Sequence, residues 1–432
     1  MKKVDIISLG CSKNLVDSEQ LMRQFQLAGY TMRHDPEIVD ADIVVVNTCG
    51  FIGDAKEESI NVILELCEAK AMGQVEKVYV MGCLSERYLA DLEGELPEVD
   101  KFYGKFNWIN LIADLGEDYR EEAAHERVLT TPSHYAYVKI SEGCDRHCAY
   151  CAIPIITGRH KSRPIEAIEE EVKYLVAKGV KEFQIIAQEL TYYGVDIYKK
   201  QMLAQLIDRL AQIEGVEWLR LHYAYPAHFP MDVLDVMAKH DNVCKYLDIA
   251  LQHISDNQLK LMRRNVTKQQ TIDLIAEMRR RVPGLFIRTT LLVGFPGETE
   301  EDFAELKEFV QTTRFERLGA FAYSHEEGTY AASHYNDDVP EDVKQARLDE
   351  IMAIQQNIAV DVSDSMVNKV MRVIVDRQEG PYYVARTQFD SPEVDPEVLI
   401  PVNQNAPLQI GEFYNVHIDD ADVFEIYASV VD

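Results

Sequence analysis

The chain has 432 residues, of which 47% are hydrophobic, and its formal net charge at pH 7 is −29. This length predicts two to four domains, and no apolar run is long enough to cross a membrane as a helix. Nucleic-acid binders usually expose basic surface, so the acidic balance disfavours direct nucleic-acid binding and favours basic partners. The N-terminal residues lack the features of a signal peptide, which predicts a cytoplasmic location.

The first 125 residues alternate short apolar runs with helical patterns. Strands are predicted at 4–9, 42–47 and 77–81, and helices at 18–27, 56–69 and 85–92. This alternation is typical of a doubly wound parallel α/β domain. The polar and acidic residues 112–134 that follow are predicted to form a linker.

A second alternating stretch covers residues 130–365, and a small all-β pattern covers residues 366–432. The second stretch has strands predicted at 137–140, 183–187, 218–222, 246–251, 286–293 and 319–323, and a last helix at 341–362. About six βα units predict a full or incomplete (β/α) barrel of the TIM type. The short strands and turns of the last stretch predict a small β-barrel. The predicted fold class is therefore α/β multidomain, with domains at 1–125, 130–365 and 366–432.

Three of the eight cysteines have the spacing C-x3-C-x2-C on a loop that follows the predicted strand 137–140: Cys144, Cys148 and Cys151. Three thiolates on one loop can hold three irons of a [4Fe–4S] cluster, and the fourth iron is then free to bind S-adenosylmethionine (SAM). The alternative is a zinc site that adds His147 to the same cysteines. Zinc sites usually pair C-x2-C with a distant second pair, and this domain has none.

Three further cysteines each lie just past a predicted strand of the first domain: Cys11, Cys49 and Cys83. Ligands of an open parallel sheet bind beyond the carboxyl ends of its strands, so these thiols are expected to meet there. Neighbouring glycines allow a close approach of the backbone: Gly10, Gly50 and Gly82. The pattern predicts a second [4Fe–4S] cluster, and the alternative is three ordinary buried cysteines. Cys67 and Cys244 are predicted to pack in the core.

Polar or glycine residues also follow or end several strands of the predicted barrel, where they would point into one mouth: Gln188, Glu189, His222 and Gly294. Two arginines, Arg264 and Arg288, are candidates to neutralise the carboxylate of SAM or to stack on a ring. Each of these residues taken singly also fits a packing role. Together they predict a cofactor-binding mouth.

The motif C-x3-C-x-aromatic-C resembles the signature of radical-SAM enzymes, which implies that Tyr150 lies near the adenine of SAM. The two cysteine triads and the three domains together resemble the radical-SAM methylthiotransferases over essentially the whole chain. This resemblance implies that the cluster on the C-x3-C-x2-C cysteines reduces SAM to a radical. It also implies that the first cluster supplies sulfur, that a second SAM supplies a methyl group, and that residues 366–432 form a TRAM-like barrel that contacts substrate.

Two branches of this family differ in substrate. One modifies an adenosine in tRNA, and the other modifies the β-carbon of an aspartate in the twelfth protein of the small ribosomal subunit. The segments 9–19 and 323–329 resemble the ribosomal branch. Residues 366–432 contain four Lys and Arg against twelve Asp and Glu, a formal charge of −8, which suits a basic protein substrate.

The resemblance further implies an electron-donor protein such as a flavodoxin or ferredoxin. One residue departs from the family pattern, because Thr157 stands where the family usually carries arginine, and Arg159 follows one step past the glycine. Two alternatives remain open. The first is a tRNA adenosine methylthiotransferase, and the second is a non-catalytic, zinc-stabilised binding protein.

Overall fold

Three main sheets organise the fold, and the computed structural model describes them within residues 2–402 and 407–431. In chain order they are a parallel five-stranded sheet, a parallel six-stranded sheet and a closed five-stranded barrel. The predicted fold class is therefore confirmed. None of the helices in the described residues combines the length and the apolar composition that a membrane span requires.

The first sheet has the strand order β2-β1-β3-β4-β5 with helices against it. Its strands are β1 (Lys3–Ser8), β2 (Thr31–His34), β3 (Ile43–Thr48), β4 (Lys77–Gly82) and β5 (Lys101–Phe102). Its helices are α1 (Ser12–Leu27), α2 (Gly53–Ala71), α3 (Cys83–Glu95) and α4 (Ile109–Asp114). The strand order reverses between β1 and β3, which is where doubly wound sheets bind ligands. The strands β2 and β5 were not predicted, because they are short and lack an apolar run.

The residues predicted as a linker, 112–134, have little regular structure but pack closely. Arg127 is fully buried and pairs with Glu19 of α1 at 3.0 Å. The same guanidinium pairs with Glu171 of the second domain at 3.1 Å. The segment is therefore a packed connection, which its charged composition did not reveal, because composition does not show that the charges have buried partners. The segment instead ties the first domain to the second.

The second sheet contains six parallel strands in chain order and is open. Its strands are β6 (Tyr135–Lys139), β9 (Glu182–Ile186), β10 (Trp218–Ala224), β11 (Val243–Gln252), β12 (Phe286–Val293) and β13 (Arg317–Ala322), and a small hairpin is formed by β7 (Ser141–Glu142) and β8 (Lys161–Ser162). Its helices are α5 (Ile153–Thr157), α6 (Ile165–Ala177), α7 (Val195–Tyr198), α8 (Leu203–Ala211), α9 (Asp232–Lys239), α10 (Asp256–Leu261), α11 (Lys268–Arg281), α12 (Glu300–Thr313), α13 (Tyr330–His334) and α14 (Glu341–Asp364). This is the incomplete form of the predicted (β/α) barrel.

The third sheet closes on itself in the order β14-β15-β16-β18-β17. Its strands are β14 (Val370–Glu379), β15 (Tyr382–Thr387), β16 (Glu397–Pro401), β17 (Phe413–Ala421) and β18 (Glu425–Val430). Closure removes unpaired strand edges and encloses a small apolar core that includes Val373, Val398 and Ile426. The strand β16 was not predicted, although it completes the barrel.

Buried charges join this barrel to the six-stranded sheet. Arg386 of β15 donates to Glu182 of β9 at 2.7 Å and to Asp376 of β14 at 2.6 Å. Burial alone would raise the pKa of Glu182, but Arg386 and Arg220 outweigh burial and lower it. Burial also opposes ionisation of Asp376, yet Arg386 lowers the pKa of that carboxyl to about 2. The two domains therefore share one ionised network that excludes water.

Arg386→Met should lower the free energy of unfolding by about 3–5 kcal/mol, because it removes the cation that the buried carboxylates of Glu182 and Asp376 share and leaves them only Arg220 and His134 as partners. Urea denaturation followed by circular dichroism measures this loss. Arg377→Met is the matched control, because Arg377 forms a half-exposed pair with Glu397 in the same barrel. Such a pair contributes at most about 1 kcal/mol. Equal losses in the two variants would contradict the structural role of Arg386.

A second set of buried charges joins the first domain to the six-stranded sheet. Glu326 lies in the acidic segment 323–329 and is 3% exposed. It accepts from Lys56 of α2 at 2.8 Å and from Arg87 of α3 at 3.1 Å. This acidic segment thus holds the first sheet over the mouth of the second.

Candidate functional site

The three N-terminal cysteines meet at the carboxyl ends of adjacent strands. Register pairs Ser8 with Asn47 and Thr48 with Gly82, so β1, β3 and β4 end level with one another. The thiols follow these ends and line one cavity: Cys11, Cys49 and Cys83. Gly10 has a φ of +89°, and a Cβ atom there would approach the Cβ of Cys49 to 2.8 Å. The glycine is therefore required for the close approach that the sequence predicted.

The other three cysteines lie on the loop between β7 and α5, beyond the carboxyl end of β6: Cys144, Cys148 and Cys151. The backbone N–H of Arg146 donates to the sulfur of Cys144 at 3.4 Å. The guanidinium of Arg264 donates to the sulfur of Cys148 at 3.3 Å. Hydrogen bonds of this kind stabilise charge on a thiolate.

Both triads line a single cavity of about 380 Å³. The helix α3, which begins at Cys83, packs against α5 through Ala152 and Ile156. The carboxyl edge of the first sheet therefore faces the mouth of the second. Sequence spacing predicted the two triads separately, and only the packing of the domains brings them together.

Burial governs the acidity of most of these thiols. It raises the pKa of Cys83 and of Cys144 to about 12, and it raises the pKa of Cys151 as well. Burial also acts on Cys11, but Lys13 and Lys105 outweigh it and lower the pKa of that thiol. A metal deprotonates a coordinating thiol outright, so buried thiols of high pKa can still serve as metal ligands.

Among the described residues, no group of three His, Cys, Asp or Glu side chains converges closely enough to hold a single metal ion. An iron–sulfur cluster has a different requirement, because each thiolate binds its own iron. Two triads of cysteines that face a common cavity fit that requirement.

A buried lysine beside the N-terminal triad was missed by the sequence analysis. Lys105 follows β5, and its ammonium donates to Asp17 at 3.0 Å and to Asn14 at 3.4 Å. Burial opposes the charge, but Asp17 and Glu142 outweigh it and hold the pKa of Lys105 well above its usual value. No sequence motif marks this lysine, since its partners come from distant segments. A permanent positive charge therefore lies beside the thiols.

Four of the predicted cofactor-binding residues line the same cavity: Tyr150, Gln188, Glu189 and Arg264. Arg264 donates to the hydroxyl of Tyr150 at 3.2 Å, and Arg146 pairs with Glu189 at 3.0 Å. Two buried polar atoms, Oε1 of Gln188 and Nε of Arg264, have no hydrogen-bond partner in the described part of the chain. Unsatisfied buried groups are costly, so these atoms are suited to a polar ligand.

Three other predicted residues lie outside this cavity. His222 and Arg288 line a neighbouring cavity of about 460 Å³, and Arg288 pairs with Asp395 of the terminal barrel at 2.6 Å. Gly294 donates to Glu298 at 2.7 Å, and a Cβ atom there would meet the side chain of Lys344. Tyr223 and Thr290 lie on the same strands as His222 and Arg288 and do line the cavity of the cysteines.

The departure from the family pattern at Thr157 has a local explanation. Thr157 lines the cavity of the cysteines, and its hydroxyl donates to the carbonyl of Ile153 at 3.0 Å. The side chain of Arg159 is 89% exposed and pairs loosely with Asp145. Arg159 therefore does not replace the family arginine inside the cavity.

The backbone is strained at two residues that line this cavity. Tyr223 at the end region of β10 has a φ of +63°, and Gln252 at the end of β11 has a φ of +71°. Neither is a glycine, so each conformation costs energy that the surrounding structure must supply. Such strain is concentrated at functional sites, which supports this cavity as the centre of function.

Known folds resemble the chain over most of its length. A radical SAM methyltransferase from Kitasatospora setae, TsrM, matches with a TM-score of 0.54 at 15% identity, covering 74% of this chain and 75% of that one. The cobalamin-dependent SAM radical enzyme OxsB matches with a TM-score of 0.53 at 12% identity, covering 82% and 56%. At these identities the similarity concerns the fold alone.

Family and sequence comparisons are more specific. Residues 138–310 match the radical SAM superfamily, residues 3–104 match uncharacterized protein family UPF0004, and residues 367–431 match the TRAM domain. The ribosomal protein uS12 methylthiotransferase RimO of Bacteroides thetaiotaomicron is 66% identical, covering 100% of this chain and 98% of that protein. The protein of the same name from Flavobacterium johnsoniae is 53% identical, covering 98% and 97%. The chain therefore belongs to the RimO family of radical SAM methylthiotransferases.

Proposed function

We propose that this protein methylthiolates ribosomal protein uS12, and that the modified atom is the β-carbon of an aspartate. The observation that carries the proposal is the single cavity lined by both cysteine triads. A reaction that joins a SAM-derived radical to a sulfur donor needs both centres within reach of one substrate atom. The relatives that match 98–100% of the chain are named ribosomal protein uS12 methylthiotransferases.

The residues present fit two [4Fe–4S] clusters and SAM. Each triad offers three thiols, which leaves one iron of each cluster without a protein ligand. We assign one cluster to Cys11, Cys49 and Cys83, and the other to the C-x3-C-x2-C cysteines. When bound, these groups supply the electron, the radical, the sulfur and the methyl group of the reaction. An electron-donor protein such as a flavodoxin or ferredoxin completes the set.

The chain's own residues bind and orient these groups. Arg264 and Gln188 offer unsatisfied polar atoms to SAM, and Tyr150 lies beside Arg264. Lys105 keeps a positive charge beside the N-terminal thiols and favours their ionised form. The cavity lies between packed domains, and shielding a reactive intermediate from water protects it from side reactions. We assign no contact with SAM to His222, Arg288 or Gly294, because these residues lie outside the cavity.

The proposed domains divide these tasks. Residues 1–125 hold the sulfur-donating cluster, residues 130–365 hold SAM and its cluster, and residues 366–432 contact the substrate. The last domain carries a formal charge of −8, which favours a basic protein over RNA. A tRNA adenosine methylthiotransferase is the second candidate, because the related branch of the family has that substrate.

An assay with competing substrates tests this choice. The reconstituted enzyme is incubated with SAM and a reductant, together with either small ribosomal subunits or unmodified tRNA, and the products are read by mass. We expect uS12 to gain a methylthio group and tRNA to remain unmodified. Modification of tRNA alone would contradict the proposal. If metal analysis instead found zinc and no labile sulfide, the protein would be the non-catalytic, zinc-stabilised binding protein.

A further inference from the structure

We propose that Lys13 binds the carboxylate of the aspartate that is modified, and so positions its β-carbon between the two cysteine triads. This inference rests on the proposed function, and it names the residue that recognises the reacting side chain. Lys13 is the second residue of α1 and lies two positions after Cys11. Its place in the chain therefore sets it at the edge of the N-terminal triad.

Lys13 lines the cavity and forms no ion pair with a carboxylate in the described residues. The residue is 8% exposed and lines the cavity of the six cysteines. In the described part of the chain its ammonium has no hydrogen bond and no ion pair, and it lies 3.2 Å from the ring centre of Tyr223. An ammonium that opens onto a cavity and is held mainly by an aromatic ring keeps its capacity to donate hydrogen bonds to an anion. The ammonium, which acts electrostatically on the Cys11 thiol, therefore remains free of protein oxygen partners and can receive a carboxylate that enters the cavity.

The other cations that line the two cavities already have polar partners in the described structure. Lys105 pairs with Asp17, Arg146 with Glu189, and Arg288 with Asp395. Arg264 donates to the carbonyl of Ala250, to the sulfur of Cys148 and to the hydroxyl of Tyr150. Lys13 is thus the cation best placed to receive a carboxylate from outside.

The neighbouring cavity offers a route for a protein segment. It has a volume of about 460 Å³ and shares Cys11, Tyr223 and Thr290 with the cavity of the cysteines. Its lining comes from all three domains and includes the exposed apolar side chains of Phe321 and Val394. A loop of the substrate that entered here would reach Tyr223, and its side chain would then meet the ammonium of Lys13.

The acidic groups of this route direct a carboxylate toward Lys13. Asp248 and Glu393 line the neighbouring cavity and repel an anion there. Lys13 and, more strongly, Arg288 act electrostatically on Asp248, and Lys13 forms no salt bridge with it in the described residues. A carboxylate is therefore disfavoured in the neighbouring cavity and favoured at its junction with the cysteines.

SAM also carries a carboxylate, but the two candidate cations lie beside different triads. Arg264 contacts the sulfur of Cys148, which belongs to the triad assigned to SAM. Lys13 lies beside Cys11, which belongs to the triad assigned to the sulfur donor. The carboxylate at Lys13 is therefore assigned to the substrate, and the experiment below separates the two sources.

Binding to purified uS12 tests the inference with the cluster-reconstituted full chain, SAM and no reductant, so that no turnover occurs. The dissociation constant is measured for uS12 and for its variant with asparagine at the modified aspartate. We expect wild type to prefer the aspartate form by about tenfold or more, the order that a charged hydrogen bond contributes. Lys13→Met should abolish this preference, and Lys13→Arg should restore part of it.

Lys178→Met is the matched control, because Lys178 also lies over a tyrosine ring, that of Tyr174, at 5.4 Å. This variant removes the same charge at a position away from both cavities. It should therefore keep the preference for the aspartate form of uS12. Iron content verifies that the Lys13 variants fold and assemble.

Three outcomes would overturn the inference. The first is an undiminished aspartate preference in Lys13→Met, and the second is a loss of SAM affinity in that variant, which would assign the carboxylate to SAM. Both leave the proposed function intact. The third is wild-type enzyme that neither binds nor modifies uS12, which would overturn the proposed function together with the inference.

Discussion

Cys83→Ala should abolish methylthiolated uS12 while reductive cleavage of SAM persists, and Cys11→Ala and Cys49→Ala should behave alike. Each variant should also lose about four of the eight or so irons that two [4Fe–4S] clusters contain. The physical reason is that the three thiols meet at the level ends of β1, β3 and β4, so the loss of one leaves an incomplete set of ligands. Iron and sulfide analysis, with mass analysis of uS12 and of SAM products, measures the effect.

Cys67→Ala is the matched control for these variants. Cys67 lies in the same domain on α2, and it packs in the apolar core with Ile63 and Leu66 rather than at the cavity. Its loss should leave iron content and product unchanged. Full methylthiolated product from any of the three N-terminal variants would show that their cluster is not the sulfur donor.

Cys148→Ala should abolish SAM cleavage and therefore all product, again with a loss of about four irons. Cys148 is buried beside Arg264 and Tyr225, and its sulfur accepts from Arg264 at 3.3 Å. The N-terminal iron should remain, because its ligands come from a different sheet. Detection of 5′-deoxyadenosine after reduction measures SAM cleavage directly.

Cys244→Ala is the control for that prediction. Cys244 lies in β11 and packs against Trp218 and Tyr246, away from the cavity of the cysteines. It should retain both iron and SAM cleavage. If Cys148→Ala still cleaved SAM at the wild-type rate, the assignment of the radical-generating cluster would be wrong.

The fold could be predicted from the sequence where a single segment shows a clear hydrophobic pattern. The apolar run of β3 is buried on both faces, which is the pattern of a central parallel strand, and it was predicted to within one residue. Short strands such as β2 and β16 were not predicted, because pairing with neighbours, rather than hydrophobic periodicity, makes them strands. The cofactor residues divide differently. Gln188 and Glu189 follow a strand end and reach the cavity, whereas Gly294 also follows a strand end and does not, so position along the strand was not sufficient to predict contact with the cavity.

The sequence by itself identified the candidate ligands of the site. The spacing of Cys144, Cys148 and Cys151 lies within one loop, and each N-terminal cysteine follows its own strand, so local patterns were sufficient to predict two sets of ligands. The net negative charge of residues 366–432 could also be counted directly from the sequence. None of these inferences required knowledge of which segments meet in space.

Tertiary structure alone decided how these parts act together. The two triads face each other because α3 packs against α5 and because Glu326 pairs with Lys56 and Arg87. Both are contacts between segments that lie far apart in the sequence. The same holds for Lys105, which is buried beside Asp17, and for Lys13, which lies over the ring of Tyr223. A sequence records which charges are present. Burial and the distance between charges set their energies, and both arise only when the domains pack.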